Sequence, residues 1–404
     1  MSRSRIAWHI VITASLIPAL PLRAADDLRV YVVVVDGLHP DEVGPLTPTL
    51  SELRTGGTWY DDARAVMIAE TLPNHVAMMT GVLPRRNGIP ANDYKNGRMQ
   101  DPTLIESPTL VTRLESPECG PISTATIQSK TYLDNIFRAG GSQKQADFHW
   151  QPFPVIPVSD HAPDAATMSA FLDWLVFDDP PTPHFAFVNL GDVDRSGHAD
   201  PSGNTGLPAF RQAALEHTDT QLRLLVGTLK LTGAWESTVL IITSDHSMDW
   251  SLPFNLINLS PVVGAAGQVV QNGGAEMIYL NDASPGNVAA WAGTIEAVDG
   301  VAKAVTAATT PSLADLGLDH PNTGHIVAFA EDGWRFSDPS QTSNPIPGNH
   351  GHAVTQASVL LVAGGHPALA DDPAAVAGTP PSGDDIPDPP DGSFGNLDVA
   401  PTVA

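Results

Sequence analysis

Six aspartate and histidine side chains in this sequence are of types that could together bind metal. They lie beside predicted strand ends or a glycine, and they are Asp36, Asp194, His198, Asp245, His246 and His350. Three carboxylates and three imidazoles suit zinc or another divalent transition metal. A glycine at position 197 is expected to allow a turn before His198. Any one of these residues alone is more typical of a turn, a helix cap or a hydrogen-bonded side chain, so the prediction depends on all six.

A threonine near the start of a predicted helix could act as a nucleophile. Pro73 fits the first helical turn, so Thr71 is expected just before the helix N-terminus. The free N–H groups and the helix dipole favour an anion there. A hydroxyl becomes a useful nucleophile when its pKa is lowered, which a metal can do. Spacing alone leaves open the alternative that Thr71 is only an N-cap.

Alternating strands and helices are expected to position these side chains. Apolar runs predict strands at Val30–Val35, Ile122–Gln128, His184–Leu190, Thr238–Thr243 and Ser358–Val362, and apolar spacing predicts helices at Thr49–Arg54, Asp164–Phe177 and Pro208–Leu231. Buried strands separated by helices predict an α/β fold, with a mostly parallel sheet and helices on both faces. Ligands gather at the carboxyl ends of such strands, where Asp36 and Asp245 are expected to lie.

The N-terminal residues have the pattern of a secretory signal peptide. Arg3 and Arg5 precede an apolar run from Ile6 to Leu22, and small residues follow. Residues 1–24 are therefore predicted to be removed, leaving an exported protein, periplasmic or secreted, with no transmembrane anchor. The alternative is that this run is itself a membrane anchor, although it is short for a span.

Two other regions stand apart in composition. Residues from about 252 to 345 are rich in Gly, Pro, Asn and Asp and are predicted to form a smaller cap inserted into the main domain, and Gly378–Gly392 is predicted to be a surface loop. A helix-start pattern at Leu397–Thr402 lies close to the last residue, which predicts a truncated C-terminus.

Charge and cysteine content exclude several classes of protein. The formal net charge is −25, from 20 Lys+Arg and 45 Asp+Glu, which argues against binding polymeric nucleic acid through its phosphates. A small phosphorylated substrate held by metal ions is still compatible with that charge. The single cysteine, Cys119, excludes an intramolecular disulfide and cysteine-rich zinc sites.

Six short motifs, in a fixed order, resemble the alkaline phosphatase superfamily and specifically its type I phosphodiesterase/nucleotide pyrophosphatase branch. They are Val-Val-Val-Asp36-Gly, Thr71-Leu-Pro-Asn-His-Val-Ala-Met-Met-Thr-Gly, Gly88-Ile-Pro-Ala-Asn92, Asp194-Arg-Ser-Gly-His198, Thr243-Ser-Asp245-His246-Ser-Met and Gly348-Asn-His350-Gly. The resemblance implies an alkaline-phosphatase-like catalytic domain over residues 25–404.

The same resemblance implies two zinc ions. One would be held by Asp194, His198 and His350, and the other by Asp36, Asp245, His246 and the oxygen of Thr71. Asn92 and the backbone N–H after Thr71 would donate to a phosphoryl oxygen, and His75 would be structural. Manganese or another divalent metal also binds such sets, but the share of imidazoles favours zinc.

Two metals roughly 4 Å apart can clamp the attacking and leaving oxygens of an in-line displacement. The resemblance therefore implies hydrolysis of phosphodiester or nucleotide pyrophosphate bonds in a small phosphorylated substrate, through a covalent phospho-threonine on Thr71.

Lys130 is a further candidate for substrate binding, because it follows the predicted strand Ile122–Gln128. It could instead be a solvated surface lysine. A substrate contact from Lys130 would favour a phosphomonoesterase or phosphonate hydrolase of the same superfamily. A protein of this fold that binds metal without catalysis is the alternative from another class.

Overall fold

A computed structural model describes residues 28–95, 97, 105–119, 122–138, 145–150, 161–177, 183–199, 209–252, 254–337, 348–369 and 395–403. The predicted signal peptide at 1–24 and the predicted loop Gly378–Gly392 lie outside these residues. Among the helices of the described part, none is long and apolar enough to cross a membrane.

Strands and helices alternate along most of the described chain. The strands are β1 (Arg29–Val35), β2 (Thr58–Trp59), β3 (Thr124–Gln128), β4 (Phe148–Trp150), β5 (Phe185–Leu190), β6 (Thr238–Thr243), β7 (Asp249–Trp250), β8 (Leu256–Ile257), β9 (Gly267–Asn272), β10 (Ala275–Leu280), β11 (Val301–Val305), β12 (Ile326–Ala330), β13 (Arg335–Phe336), β14 (Gly348–Asn349) and β15 (Leu360–Gly364). The α-helices are α1 (Pro48–Gly56), α2 (Thr71–Thr80), α3 (Pro84–Asn87), α4 (Leu110–Leu114), α5 (Asp134–Arg138), α6 (Asp164–Phe177), α7 (Asp192–Ala199), α8 (Ala209–Leu231), α9 (Ser260–Val263), α10 (Pro285–Glu296) and α11 (Val399–Val403).

The main sheet of the described residues has seven strands in the order β2-β15-β6-β1-β5-β3-β4. Strand β1 runs parallel to both β5 and β6, and β3 runs parallel to β4 and β5. Only β15 and its neighbours pair antiparallel, at one side of the sheet. The prediction of a mostly parallel sheet is therefore confirmed, and the carboxyl ends of β1, β3, β5 and β6 meet at one edge.

Both faces of β1 are buried, which explains its unbroken run of apolar residues. Tyr31, Val33 and Val35 belong to one hydrophobic cluster, together with residues of α1, α6 and α8. Val30, Val32 and Val34 belong to a second cluster on the other face, with residues of α2, α4, α5 and α11. Apolar burial on two sides fixes the strand, and with it the position of the residue that follows, Asp36.

A second sheet is formed by residues that lie between β6 and β15 in the sequence. Its four described strands have the order β11-β12-β10-β9, all antiparallel, and α10 packs beside them. It falls within the region predicted as a cap. Asn272 in β9 contacts the segment that carries Asn92: its Oδ1 accepts from the Asp93 N–H at 3.1 Å and its Nδ2 donates to the Asp93 carbonyl at 3.0 Å.

The segment Gly395–Val403 packs against α2. Asn396 is fully buried, and its Nδ2 donates to Asn74 Oδ1 at 2.9 Å and to the carbonyl of Asp245 at 3.0 Å. Val399 and Ala400 join the hydrophobic cluster that contains α2. The helix start predicted at Leu397–Thr402 is thus present as α11, and the segment joins the helix of Thr71 to the loop after β6.

Candidate active site

Thr71 is the first residue of α2 and is 1% exposed. The prediction placed it just before the helix, but that position belongs to Glu70. The Thr71 hydroxyl does not cap the helix. Its Oγ1 lies 3.3 Å from His246 Nε2 and 3.3 Å from Lys130 Nζ. The simple N-cap interpretation of Thr71 is therefore wrong, because the hydroxyl is directed toward the predicted ligands.

Asp36, Asp245 and His246 form the first of two potential metal sites, here called the strand-end group. Their ligand atoms all lie within 4.8 Å of one another, and all three residues are fully buried. Asp36 follows β1, and Asp245 and His246 follow β6, which is its neighbour in the sheet. The parallel register of these two strands brings the three residues together. The N–H groups of Gly37 and His246 both donate to Asp245 Oδ1 at 3.1 Å.

Asp194, His198 and His350 form the second potential metal site, here called the helix α7 group. Their ligand atoms also lie within 4.8 Å of one another. Asp194 and His198 are four residues apart in α7, so they share one face of the helix. Gly197 is inside α7, and the predicted turn at this glycine is wrong. A Cβ at Gly197 would lie 2.7 Å from Arg211 Nη1, so its small size serves close packing.

The three imidazoles share one hydrogen-bonding pattern. In each, Nδ1 lies next to a backbone carbonyl oxygen: Gly348 for His198 at 2.8 Å, Ser247 for His246 at 2.9 Å and Ala69 for His350 at 3.2 Å. An Nδ1–H that donates to a carbonyl leaves Nε2 as the lone-pair nitrogen. Burial lowers the pKa of all three histidines, that of His350 furthest, which keeps them neutral as metal ligation requires.

Lys130 lies between the two groups and is 1% exposed. Its Nζ lies 2.7 Å from Asp36 Oδ1 and 2.8 Å from Asp194 Oδ2. Burial opposes its charge, but Asp194 and Asp36 outweigh burial and hold its pKa above the ordinary value. The alternative of a solvated surface lysine is wrong, because the ammonium is buried among the site carboxylates.

The two carboxylates of the strand-end group are less well compensated by positive charge than Asp194. Burial and the nearby Asp245 raise the pKa of Asp36, and burial raises that of Asp245. Burial would also raise the pKa of Asp194, but Lys130, His198 and His350 lower it well below the ordinary value. Asp194 Oδ1 and Asp245 Oδ2 are buried with no hydrogen-bond partner among the described residues. Buried, unpaired carboxylate oxygens beside neutral imidazoles fit divalent metal ions at both groups.

Asn92 is held close to the N-terminus of α2. The Leu72 N–H donates to Asn92 Oδ1 at 2.8 Å. The sequence predicted that this N–H and Asn92 would both donate to a phosphoryl oxygen, whereas here the N–H orients the Asn92 side chain. With Oδ1 engaged, Nδ2 is the part of the amide that can donate to a ligand. The Asn92 N–H in turn donates to Glu70 Oε2 at 2.7 Å.

His75 and Asn189 form a buried link behind the strand-end group. Asn189 Nδ2 lies 3.0 Å from Asp36 Oδ2 and 3.0 Å from His75 Nε2. His75 Nδ1 lies 2.9 Å from the carbonyl oxygen of Thr71. Since Nε2 accepts from Asn189, Nδ1 carries the proton and donates to that carbonyl. His75 is outside both metal groups, as predicted, but it also connects the nucleophile helix to Asp36 through Asn189.

Sequence reasoning missed Glu70, Asn189 and Asn396, all of which are buried near the site. Asn189 lies near the carboxyl end of β5. The argument from strand ends that located Asp36 could therefore also have found Asn189. Glu70 directly precedes Thr71, but no spacing rule connects it with Asn92.

The fold and the site together define an α/β protein of alkaline-phosphatase-like architecture. The sequence pattern of the family "type I phosphodiesterase / nucleotide pyrophosphatase" matches residues 30–353, and the chain belongs to this family. Its members are metal-dependent proteins of the alkaline phosphatase superfamily, as the motifs predicted.

Curated relatives match parts of the chain. Human ectonucleotide pyrophosphatase/phosphodiesterase family member 1 is 28% identical over 226 residues, which cover 55% of this chain and 23% of that protein. Human family member 5 is 24% identical over 343 residues, 81% of this chain and 66% of that protein. The chain thus spans about a quarter of the length of the first of these relatives and about two thirds of the other.

Solved structures share the fold at low identity. Murine ectonucleotide pyrophosphatase/phosphodiesterase 5, an inactive variant in complex with AMP, superposes with a TM-score of 0.67 at 19% identity, over 83% of this chain and 88% of that chain. Phosphonoacetate hydrolase from Sinorhizobium meliloti 1021, in complex with phosphonoformate, gives a TM-score of 0.66 at 16% identity, over 93% and 95%.

Proposed function

We propose that this chain hydrolyses phosphodiester or nucleotide pyrophosphate bonds, with Thr71 as the nucleophile and two zinc ions as cofactors. The observation that carries the proposal is the place of the Thr71 hydroxyl. It lies 3.3 Å from His246 Nε2 in the strand-end group and 3.3 Å from Lys130 Nζ, which also contacts Asp194 of the helix α7 group. The names of the curated relatives, which are pyrophosphatases/phosphodiesterases, support the same reaction class.

The residues of the site suit a two-step displacement. Thr71 Oγ1 attacks phosphorus, and the bond from phosphorus to the leaving oxygen breaks. Water then attacks the phospho-threonine, which releases a phosphate product and restores the hydroxyl. Asn92 Nδ2 donates to a phosphoryl oxygen during both steps. Divalent ions held by the two groups would supply the positive charge that favours a deprotonated Thr71 and the departing oxyanion.

The proposal includes a small phosphorylated substrate and an exported protein. AMP in the structure of the murine relative is a ligand of that chemical class. The N-terminal pattern supports export to the periplasm or the outside of the cell. Zinc is the proposed metal because imidazoles make up half of the ligand set, and manganese is the alternative.

One observation favours a second candidate function, the hydrolysis of phosphomonoesters or phosphonates. The Lys130 ammonium lies within 3.3 Å of the Thr71 hydroxyl and could contact a doubly charged phosphoryl or phosphonyl group. Tyr132 is buried with its ring 5.9 Å from Lys130 Nζ. It adds no second positive charge, and a neutral neighbour suits a diester better than a dianion.

The test compares kcat/KM of the zinc-loaded protein on a bis-aryl phosphate diester and on the matching aryl monoester. Thr71→Ala is expected to lower diester turnover by about 10³-fold or more, because it removes the attacking oxygen. Thr80→Ala, at the other end of α2, is the matched control and should retain wild-type turnover.

The two substrates separate the candidate functions. A diester preference that disappears in Thr71→Ala supports the proposal. A monoester preference that Lys130→Met removes would establish the second candidate instead. Zinc binding with no turnover of either substrate would indicate a non-catalytic metal-binding protein.

A further inference from the structure

Glu70 is a buried carboxyl group whose contacts do not fit a routine structural role. It occupies the N-cap position of α2, yet its side chain makes no capping hydrogen bond to that helix. It is 3% exposed, and it contributes no ligand to either metal group. Burying a carboxyl group costs free energy unless the group is paired, so the burial of Glu70 must be offset by some other contact.

The Glu70 carboxyl instead holds the backbone of Asn92. Glu70 Oε2 accepts from the Asn92 N–H at 2.7 Å, across 22 residues of sequence. The Glu70 backbone is fixed at the same time: its carbonyl accepts from Asn74 Nδ2 at 2.9 Å, and its N–H donates to the carbonyl of Ile68 at 2.7 Å. The carboxyl is therefore attached to the rigid start of α2, next to the nucleophile.

Two further contacts complete the hold on Asn92. The Leu72 N–H donates to Asn92 Oδ1 at 2.8 Å, which sets the orientation of the amide. Asn272 binds both backbone groups of Asp93, the next residue, from the second sheet. The main chain and side chain of Asn92 are thus fixed relative to Thr71 by residues on both sides of the loop.

We infer that Glu70 is a positioning residue that sets the distance between the Asn92 amide and the phosphoryl group on Thr71. Glu70 itself does not touch the substrate. Its effect on the reaction passes through Asn92 alone, and removing it should matter only while Asn92 is present. The inference rests on the proposed function, because it names the group that Asn92 would contact.

A double-mutant cycle between Glu70 and Asn92 tests the inference. Glu70→Leu removes the acceptor and fills the space, and we expect kcat/KM on the diester to fall about 10- to 100-fold, the size of effect caused by a small misplacement of a catalytic group. In an Asn92→Ala background the same substitution should change kcat/KM by less than about threefold. If the fold-decreases in kcat/KM of the two single variants multiply in the double variant, the inference is overturned.

Two variants of Glu70 separate the length of the side chain from the chemical identity of its acceptor group. Glu70→Gln keeps an acceptor at the same distance and should recover most of the activity that Glu70→Leu loses. Glu70→Asp keeps the carboxyl group but shortens the side chain by one methylene, and it should lose activity like Glu70→Leu. The opposite order would overturn the positioning role. Thermal unfolding of each variant shows that it is folded, and Glu52→Leu, on the exposed face of α1, controls for substitution itself.

A binding measurement distinguishes failure of this inference from failure of the proposed function. The dissociation constant of inorganic phosphate for the zinc-loaded protein is measured by calorimetry across the same cycle. Glu70→Leu should weaken phosphate binding about tenfold with Asn92 present and leave it unchanged with Asn92→Ala. If phosphate binding changes in this way but the wild-type protein does not turn over the diester, the phosphodiesterase proposal is rejected and the positioning role of Glu70 is retained. Phosphate binding that does not depend on Asn92 would overturn the inference.

Discussion

The two metal groups use the same ligand types but are assembled in different ways. The strand-end group comes from two neighbouring parallel strands, and its three residues are fully buried. The helix α7 group joins one helix to His350, which follows β14 after the second sheet, and the His198 side chain is 18% exposed. The first group is fixed by the register of the main sheet, whereas the second depends on the contact of helix α7 with the segment of β14, where His198 Nδ1 lies 2.8 Å from the carbonyl oxygen of Gly348. The helix α7 group should therefore bind its metal less tightly.

Removing one imidazole from each group gives the largest expected effect. His246→Ala and His350→Ala should each lower the metal content from two ions per chain to about one, because each deletes a ligand from one group. His246→Ala should reduce turnover the more, by about 10³-fold, since its Nε2 lies 3.3 Å from the Thr71 hydroxyl. Metal analysis of the purified variants and diester turnover are the measurements.

The control for this pair is His320→Ala, a histidine that contacts Glu106 away from both groups. It should retain two ions and wild-type turnover. Equal turnover losses in the two ligand variants would contradict the difference drawn between the groups.

Acidification should weaken metal binding most steeply at the strand-end group. Burial raises the pKa of Asp36 and Asp245, so both carboxylates take up protons at a higher pH than usual. In the helix α7 group, Lys130 and the imidazoles outweigh burial and lower the pKa of Asp194, and burial lowers that of His350 furthest among the three imidazoles. Because metal ligands must be deprotonated, affinity should fall more with falling pH at the strand-end group than at the helix α7 group.

This difference can be read from variants that retain one group each. His246→Ala reports on the helix α7 group and His350→Ala on the strand-end group, in metal titrations between pH 7 and pH 5. A steeper pH dependence for the helix α7 group would be the contrary result.

A smaller effect is expected from a residue that supports only one group. Asn189 Nδ2 donates to Asp36 Oδ2, so Asn189→Ala should weaken metal binding by the strand-end group about 10- to 100-fold and leave the helix α7 group unchanged. Asn281→Ala, on the surface of the second sheet region, is the matched control. Competition against a chelator of known affinity measures both values, and equal weakening of both groups would count against a local role.

The ends of the strands could be predicted from the sequence, and so could the residues placed there. Continuous apolar runs require burial on both faces, and a parallel sheet brings the carboxyl ends of such runs together. That argument located Asp36, Asp245 and Lys130 correctly. It did not predict that Lys130 would contact both Asp36 and Asp194, because the direction of a long side chain depends on the charges that surround it.

Contacts made by loops could not be predicted in this way. Glu70 meets Asn92, and Asn272 meets Asp93, through turns whose course depends on tertiary packing. The prediction for the helix α7 motif failed for a related reason. The low helix propensity of Gly197 favoured a turn, but the residue lies in a helix, where it packs against Arg211. Sequence periodicity predicts helices and strands, but the positions of side chains on the loops between them depend on the tertiary structure.

The burial of Asn396 has a consequence for the order in which the protein is made. Asn396 bonds Asn74 at the start of the nucleophile helix, 322 residues earlier in the chain. At a synthesis rate of about 5–20 residues per second, the ribosome needs about 15–65 s to produce that interval. The emerging chain thus carries Asp36, Thr71 and Asp194 well before the segment that braces the nucleophile helix, and the buried hydrogen bonds of Asn396 form only after translation has passed that residue.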